Sequence, residues 1–149
     1  MVEKVIRTKL NVQDSQEAIR TLGEILLEAG FVKDTYIEAV LQREQTMPTG
    51  LNIGFINVAI PHTDSEHVNQ SALALATLKK PVKFKLMEDP SKEAEVEIVF
   101  LLAVKDPMQQ LDLLRKLMSI FQDQELLTKI QNAENDDELH ELLNVSLFL

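Results

Sequence analysis

Between Val96 and Val104 the chain begins as an apolar–polar alternation and becomes an unbroken apolar run. A strand that is apolar at consecutive positions has both of its faces covered. Nothing in a small protein covers both faces of a sheet except helices packed on either side. The rest of the chain supplies such helices. Ile19, Leu22, Ile25, Leu26 and Ala29 recur at helical spacing behind Asp14 and Glu17, which have the form of a capping box, and Gly30 is suited to the C-cap. A second helix is expected from about Asp34, with Tyr36, Ile37, Val40 and Leu41 inward and Arg43 near its C-terminal end. Asp106-Pro107 opens a third, with Leu111, Leu114, Leu117, Met118 and Phe121 lining its inner face. Leu126, Leu127 and Ile130 mark a fourth, and Asn135 with Glu138 opens a last one carrying Leu139, Leu142 and Leu143.

Strand patterns alternate with these helices. A first strand or extended lead-in is expected within 2–12, and Ser71 to Leu78 reads as a strand in which Leu73, Leu75 and Thr77 alternate with alanines. Val82, Phe84 and Leu86 alternate with Lys83 and Lys85, the pattern of a separate half-exposed strand near an edge. Pro48, Gly50 and Gly54 mark a loop before them. A chain of 149 residues without repeat or linker predicts a single α/β domain over 1–149.

The stretch Val58-Ala59-Ile60-Pro61-His62-Thr63-Asp64 is the chemically informative one. The β-branched run reads as the end of a buried strand, and Pro61, which cannot donate to a sheet ladder, stops it. His62 is thereby held stiffly at a strand end, where open α/β sheets meet their ligands. Imidazole can be neutral and nucleophilic near pH 7 and can carry a group covalently. With 3 histidines and no cysteine in the chain, few side chains compete for that role.

The run Ala59-Ile60-Pro61-His62, with Arg43-Glu44 upstream and a helical stretch near Gln110 downstream, resembles the fructose/mannitol-type enzyme IIA family. These are phosphocarrier subunits of the bacterial sugar phosphotransferase system, and the resemblance covers essentially the whole chain. It implies a doubly wound mixed β-sheet flanked by helices. It also implies that His62 takes a phosphoryl group from a histidine of the phosphocarrier HPr and hands it to a cysteine of a sugar-specific enzyme IIB. The chain would then meet the membrane only indirectly, through IIB and IIC. No metal or organic cofactor is implied.

Site roles follow from the same resemblance. Arg43 of the Arg-Glu motif lies near the phosphohistidine, and its planar fork can engage two phosphoryl oxygens. Thr63 could donate its hydroxyl or its backbone N–H to the phosphoryl group, and Asp64 could orient the imidazole or cap the next turn. Relatives carry a second histidine at the start of the helix after the central strand, where this chain has Gln110. Glutamine can hydrogen-bond but cannot be protonated. Gln110 together with His-Thr-Asp is more similar to the galactitol-type branch than to the mannitol one. His67 could take the vacant supporting role or be a solvated turn residue, and His140, amid acidic neighbours, is expected at the surface. Ile53 and Phe55 are candidate apolar partner contacts, or else core.

Two rival readings stay open at this stage. His62, Asp64 and His67 offer three borderline ligands, which could hold zinc in a metal-dependent hydrolase, although the spacing is not a common zinc motif. A IIA-like regulatory switch would keep the fold and use phosphorylated His62 to control docking. The net charge of −9 argues against nucleic acid or an anionic membrane surface as partner and suits a basic protein partner. The lack of cysteine and of an apolar N-terminal segment fits a cytoplasmic protein.

Overall fold

The computed structural model describes residues 2–147. Along them run β1 (Glu3–Leu10), α1 (Ser15–Glu28), α2 (Tyr36–Thr46), β2 (Gly50–Leu51), β3 (Asn57–Ala59), one turn of 3-10 helix (Ser65–His67), β4 (Ala72–Lys85), β5 (Glu93–Ala103), α3 (Pro107–Phe121), α4 (Gln124–Asn132) and α5 (Asp136–Leu147). The five strands form one mixed sheet in the order β1-β4-β5-β3-β2. β1 runs parallel to β4 and β3 parallel to β5, while β4/β5 and β2/β3 are antiparallel.

Strand β4 divides the interior between its two faces by alternation. Its Ala72, Ala74 and Ala76 join the apolar cluster under α1 and α2, beside Ile19, Leu22, Leu26, Tyr36 and Val40. Leu73 and Leu75 point the other way, into the cluster formed by Leu113, Leu117, Phe121, Leu127, Ile130 and Leu143 of α3, α4 and α5. β5 behaves likewise, sending Val99 and Leu101 to the first cluster and Ile98, Phe100 and Leu102 to the second. Every residue from Ile98 through Val104 is buried, as the unbroken apolar run predicts. Phe100 and Phe121 meet edge to face with centroids 5.1 Å apart, and Tyr36, fully buried, donates its hydroxyl to the Leu102 carbonyl at 2.5 Å.

Helix ends follow their caps. Asp14 accepts from the Glu17 N–H at 2.8 Å, and Glu17 returns to the Gln13 N–H at 3.0 Å. Asp106 caps α3 through the Met108 N–H, and Asn135 accepts from the Glu138 N–H. Gly30, at φ +82°, turns the chain out of α1 in the left-handed region that an L side chain rarely adopts.

Four local expectations change, one being that Leu111 and Met118, expected on the inner face of α3, are exposed while Leu113 and Ile120 are buried. The two strands expected at 71–78 and 82–86 are one strand, β4, with a register shift between Thr77 and Val82. Pro81 is tolerated there because β1 pairs with β4 only as far as Leu78 and, toward β5, Pro81 falls within the register shift between the paired residues Thr77 and Val82. The 82–85 half keeps the expected pattern, with Val82 and Phe84 buried and Lys83 and Lys85 exposed. Residues 50–51, expected as loop, form β2. Gly50 is required there by close approach, since a Cβ would lie 2.6 Å from the Lys85 carbonyl oxygen. Finally, α2 begins at Tyr36, not Asp34, and its N-cap Thr35 makes no side-chain cap bond because its hydroxyl is bound to His67. Among the described residues no helix is long and apolar enough to cross a membrane.

Candidate active site

His62 sits where the sheet stops and the backbone is still held. β3 ends at Ala59, but Ile60 donates its N–H to the Thr49 carbonyl at 3.3 Å, and Pro61 accepts from the Leu102 N–H at 3.0 Å. His62 follows, half-buried, with Nδ1 2.7 Å from the Ile60 carbonyl oxygen. A carbonyl only accepts, so Nδ1 carries the proton and Nε2 keeps a free lone pair. Burial lowers the imidazole's proton affinity below its ordinary value. The Ile60 hydrogen bond and Asp64 oppose that shift, and Arg43 adds to it. The result is a neutral ring at neutral pH with one nitrogen ready to act as a nucleophile.

Arg43 comes from the last turn of α2 and lines the same groove as His62. Its Nη1 is 3.8 Å from Asp64 Oδ1, a long contact to a largely exposed carboxylate, and contributes little. Its Nε is buried without a hydrogen-bond partner. An unpaired buried N–H costs about 1–3 kcal/mol, so a guanidinium with donors to spare beside the imidazole has the chemistry to take an anion. The groove itself encloses about 530 Å³ and is walled by Met47, Pro48, Met87, Pro90, Leu114 and Met118. Its three methionines are exposed, Met47 most of all at 58%. Soft, adaptable side chains around a reactive group suit a surface that must fit more than one partner.

Next to Arg43, Glu44 accepts from the Thr49 N–H and from the Thr49 hydroxyl, each at 2.9 Å. Burial pushes its carboxyl up to about 7, against the opposing pull of the Thr49 bonds and Arg43. A carboxyl raised in the folded state binds its proton more tightly there than in the unfolded chain. The stability it contributes is therefore full below pH 4.5 and is lost as pH rises from there to about 7. In Glu44→Gln that component disappears. The wild type minus Glu44→Gln difference in unfolding free energy should fall across this window and be flat above it, as measured by urea unfolding at a series of pH values. A difference that is flat or rising across the window contradicts the assignment.

The other sequence candidates divide. Thr63 is buried directly after His62. Asp64 lies between Arg43 and a small depression that it shares with Ser65, Pro107 and Gln110. Gln110, in the first turn of α3, is thus beside Asp64, while Leu114 and Met118, one and two turns further along the same stripe, reach the groove. His67 is not brought to His62. Its Nδ1 is 2.8 Å from the Thr35 hydroxyl at the start of α2, and helix rise puts Thr35 roughly 12 Å along the axis from Arg43. Among the described residues no three His, Asp or Glu side chains are gathered where they could hold a metal ion. His62, Asp64 and His67 are thus not gathered as a ligand set, and the geometry gives the hydrolase reading no support. His140 lies on the exposed side of α5, as expected. Phe55, 91% exposed, stands in the β2–β3 connection, at the opposite end of β3 from His62, and Ile53 packs against the α3–α5 core. Neither borders the groove. Sequence reasoning named Glu44 without giving it a role and missed the methionine rim, because those methionines come from separate segments with no shared pattern.

A strand-end histidine with an uncommitted nitrogen, an arginine with spare donors and a doubly wound mixed sheet are the features expected of a IIA protein. The family model described as "Phosphoenolpyruvate-dependent sugar phosphotransferase system, EIIA 2" matches residues 1–145. The chain belongs to this family. It is a phosphotransferase component of enzyme IIA type. The galactitol-specific EIIA component of Escherichia coli is 32% identical to this IIA chain over 127 residues, covering 85% of the chain and 84% of that protein. The mannitol-specific enzyme IIA component of Staphylococcus aureus is 33% identical over 135 residues, covering 89% and 87%. Among solved structures, the Escherichia coli complex of mannitol enzyme IIA with phosphorylated enzyme IIB matches with a TM-score of 0.72 at 24% identity, covering 94% of each chain. That likeness speaks for the shared IIA fold.

Proposed function

We propose that this IIA chain is the phosphocarrier subunit of a bacterial sugar or polyol phosphotransferase system, with His62 as the residue that carries the phosphoryl group. One observation carries the assignment. The Ile60 carbonyl holds the Nδ1 proton of His62, and the same groove contains Arg43 with an unpartnered Nε. Nε2 attacks the phosphorus of phospho-HPr, the P–N bond to the HPr histidine breaks, and a new P–N bond forms at His62 Nε2. The phosphoryl group next passes to the cysteine thiolate of enzyme IIB, where a P–S bond replaces it, and His62 returns to its neutral state. Throughout, the Nδ1 proton stays hydrogen-bonded to the Ile60 carbonyl, which spreads the positive charge that develops on the ring.

Arg43 takes the equatorial phosphoryl oxygens, with Thr63 supplying its N–H or hydroxyl from the adjacent position. Gln110 acts through the Asp64 side of the loop as a neutral hydrogen-bonding group. The apolar methionine rim seats HPr and IIB in turn, and all of this belongs to one domain. We assign the chain to the cytoplasm, where it reaches the membrane through IIB and IIC. Galactitol or a related polyol is the favoured cargo, supported by Gln110 at the position of the usual second histidine and by the galactitol-specific relative.

The test is phosphoryl transfer from phosphoenolpyruvate through enzyme I and HPr, followed by intact-mass and peptide mapping under mildly alkaline conditions. The expected product is one acid-labile phosphoryl group on His62, which then moves to the cysteine of a galactitol-type IIB. A folded protein that stays unmodified beside active HPr refutes the carrier reading. A stable phosphohistidine that no IIB discharges points instead to the regulatory switch.

A further inference from the structure

We propose that Glu44 is a positioning residue for His62, acting through a relay in which Glu44 holds Thr49, Thr49 holds Ile60, and Ile60 holds the imidazole. This inference rests on the carrier reading above. Its links are the two bonds from Thr49 to the Glu44 carboxylate at 2.9 Å, the Ile60 N–H to the Thr49 carbonyl at 3.3 Å, and His62 Nδ1 to the Ile60 carbonyl at 2.7 Å.

The relay is needed because the sheet is too short here. β2 and β3 pair over two residues only, Gly50 with Ala59 and Leu51 with Val58. The Thr49–Ile60 contact is a further rung beyond that ladder, and no strand partner receives the Thr49 N–H. Thr49 is nevertheless buried, 3% exposed, so its N–H and hydroxyl both need acceptors. Glu44 supplies both from the last turn of α2. The coupling is geometric, since the N–H and C=O of one residue belong to different peptide planes. Fixing Thr49 at two atoms fixes where its carbonyl points, and that sets the Ile60 backbone on which the ring proton rests. Because Arg43 is the preceding residue on the same helical turn, one carboxylate also ties the end of α2 to the histidine loop. The nucleophile and its anion-binding partner are thereby kept in one frame, and small misplacements at such a centre are expensive in rate.

The test compares wild type, Glu44→Ala, Glu44→Gln and Glu44→Asp by 15N NMR of the His62 ring in the neutral state and by steady-state transfer from phospho-HPr. In Glu44→Ala the Nδ1–H tautomer should lose population. Its kcat should fall by about tenfold, with KM for HPr unchanged within about twofold. Glu44→Gln should restore both, because its amide oxygen accepts from the Thr49 N–H while its NH2 donates to the Thr49 hydroxyl. If Glu44→Ala does not fold, Glu44→Asp, one methylene too short to serve both donors, should show the same tautomer loss in milder form. A wild-type tautomer signal in both of these variants overturns the proposal, and so does a loss of kcat without any tautomer change. The tautomer measurement needs no phosphoryl donor, so it decides the role of Glu44 even if wild-type protein fails to accept phosphate and the carrier reading falls.

Discussion

His62→Ala should accept no phosphoryl group at all while keeping the native fold. The variant removes the one nitrogen in the groove that has a free lone pair and a fixed partner behind it. No cysteine exists in the chain to substitute, and His67, tied to Thr35, sits near the wrong end of α2. The structural cost is small. The ring is half-buried at the rim of an open groove, so water can replace it on the Ile60 carbonyl, and the loss should stay near the roughly 1 kcal/mol of a single hydrogen bond. His62→Asn sharpens the test, since its amide can still donate to Ile60 but cannot carry phosphate. Intact mass after incubation with phosphoenolpyruvate, enzyme I and HPr reads the first effect, and far-UV circular dichroism through a thermal melt reads the second. A phosphorylated product from either variant removes His62 from the mechanism. Burial also predicts that wild-type acceptance persists to lower pH than an imidazole of ordinary proton affinity would allow, because the lowered affinity keeps the ring neutral further into acid.

Arg43→Ala should slow transfer on the order of 100-fold, the typical loss when one preorganised donor to developing charge is deleted. The Nε of this residue is already buried without a partner, so its removal relieves an unpaired donor. Stability should therefore hold or rise slightly, which separates this loss of rate from any loss of fold. KM for HPr should change little, because the apolar rim of Met47, Met87, Leu114 and Met118 remains. Arg43→Lys should recover part of the rate, since a lysine brings the charge without the planar fork. The check is a kcat and KM determination for transfer from phospho-HPr, alongside urea unfolding. An Arg43→Ala variant with unaltered kcat takes the arginine out of the reaction.

Much of this architecture was readable along the chain because it depends on local periodicity. The alanine–leucine alternation of 72–76 and the apolar run to Val104 each require a strand with two covered faces, and the structure has two apolar clusters meeting across β4 and β5. The caps at Asp14, Asp106 and Asn135 are contacts over two or three residues, so they too were visible. What could not be read was anything decided by which neighbour arrives. The stretches 71–78 and 82–86 looked like two strands, yet β4 runs through both, because the β4–β5 register shifts between Thr77 and Val82 where β1 has already ended. The short β2 exists because β3 passes beside it, not because Gly-Leu favours a strand.

The site divides the same way. That His62 follows a strand end and a proline, and that Arg43 closes a helix, are properties of the sequence alone, because strand, stop and helix are each set by a few adjacent residues. Packing decided the rest: that Arg43 and His62 share a groove with Met87 and Met118, that Thr35 claims His67, that Phe55 faces away from the chemistry, and that Glu44 reaches the histidine through Thr49 and Ile60. Most of these are contacts between segments far apart in the chain. They exist only once the buried sheet has fixed where each segment ends, so no window of the sequence contains them.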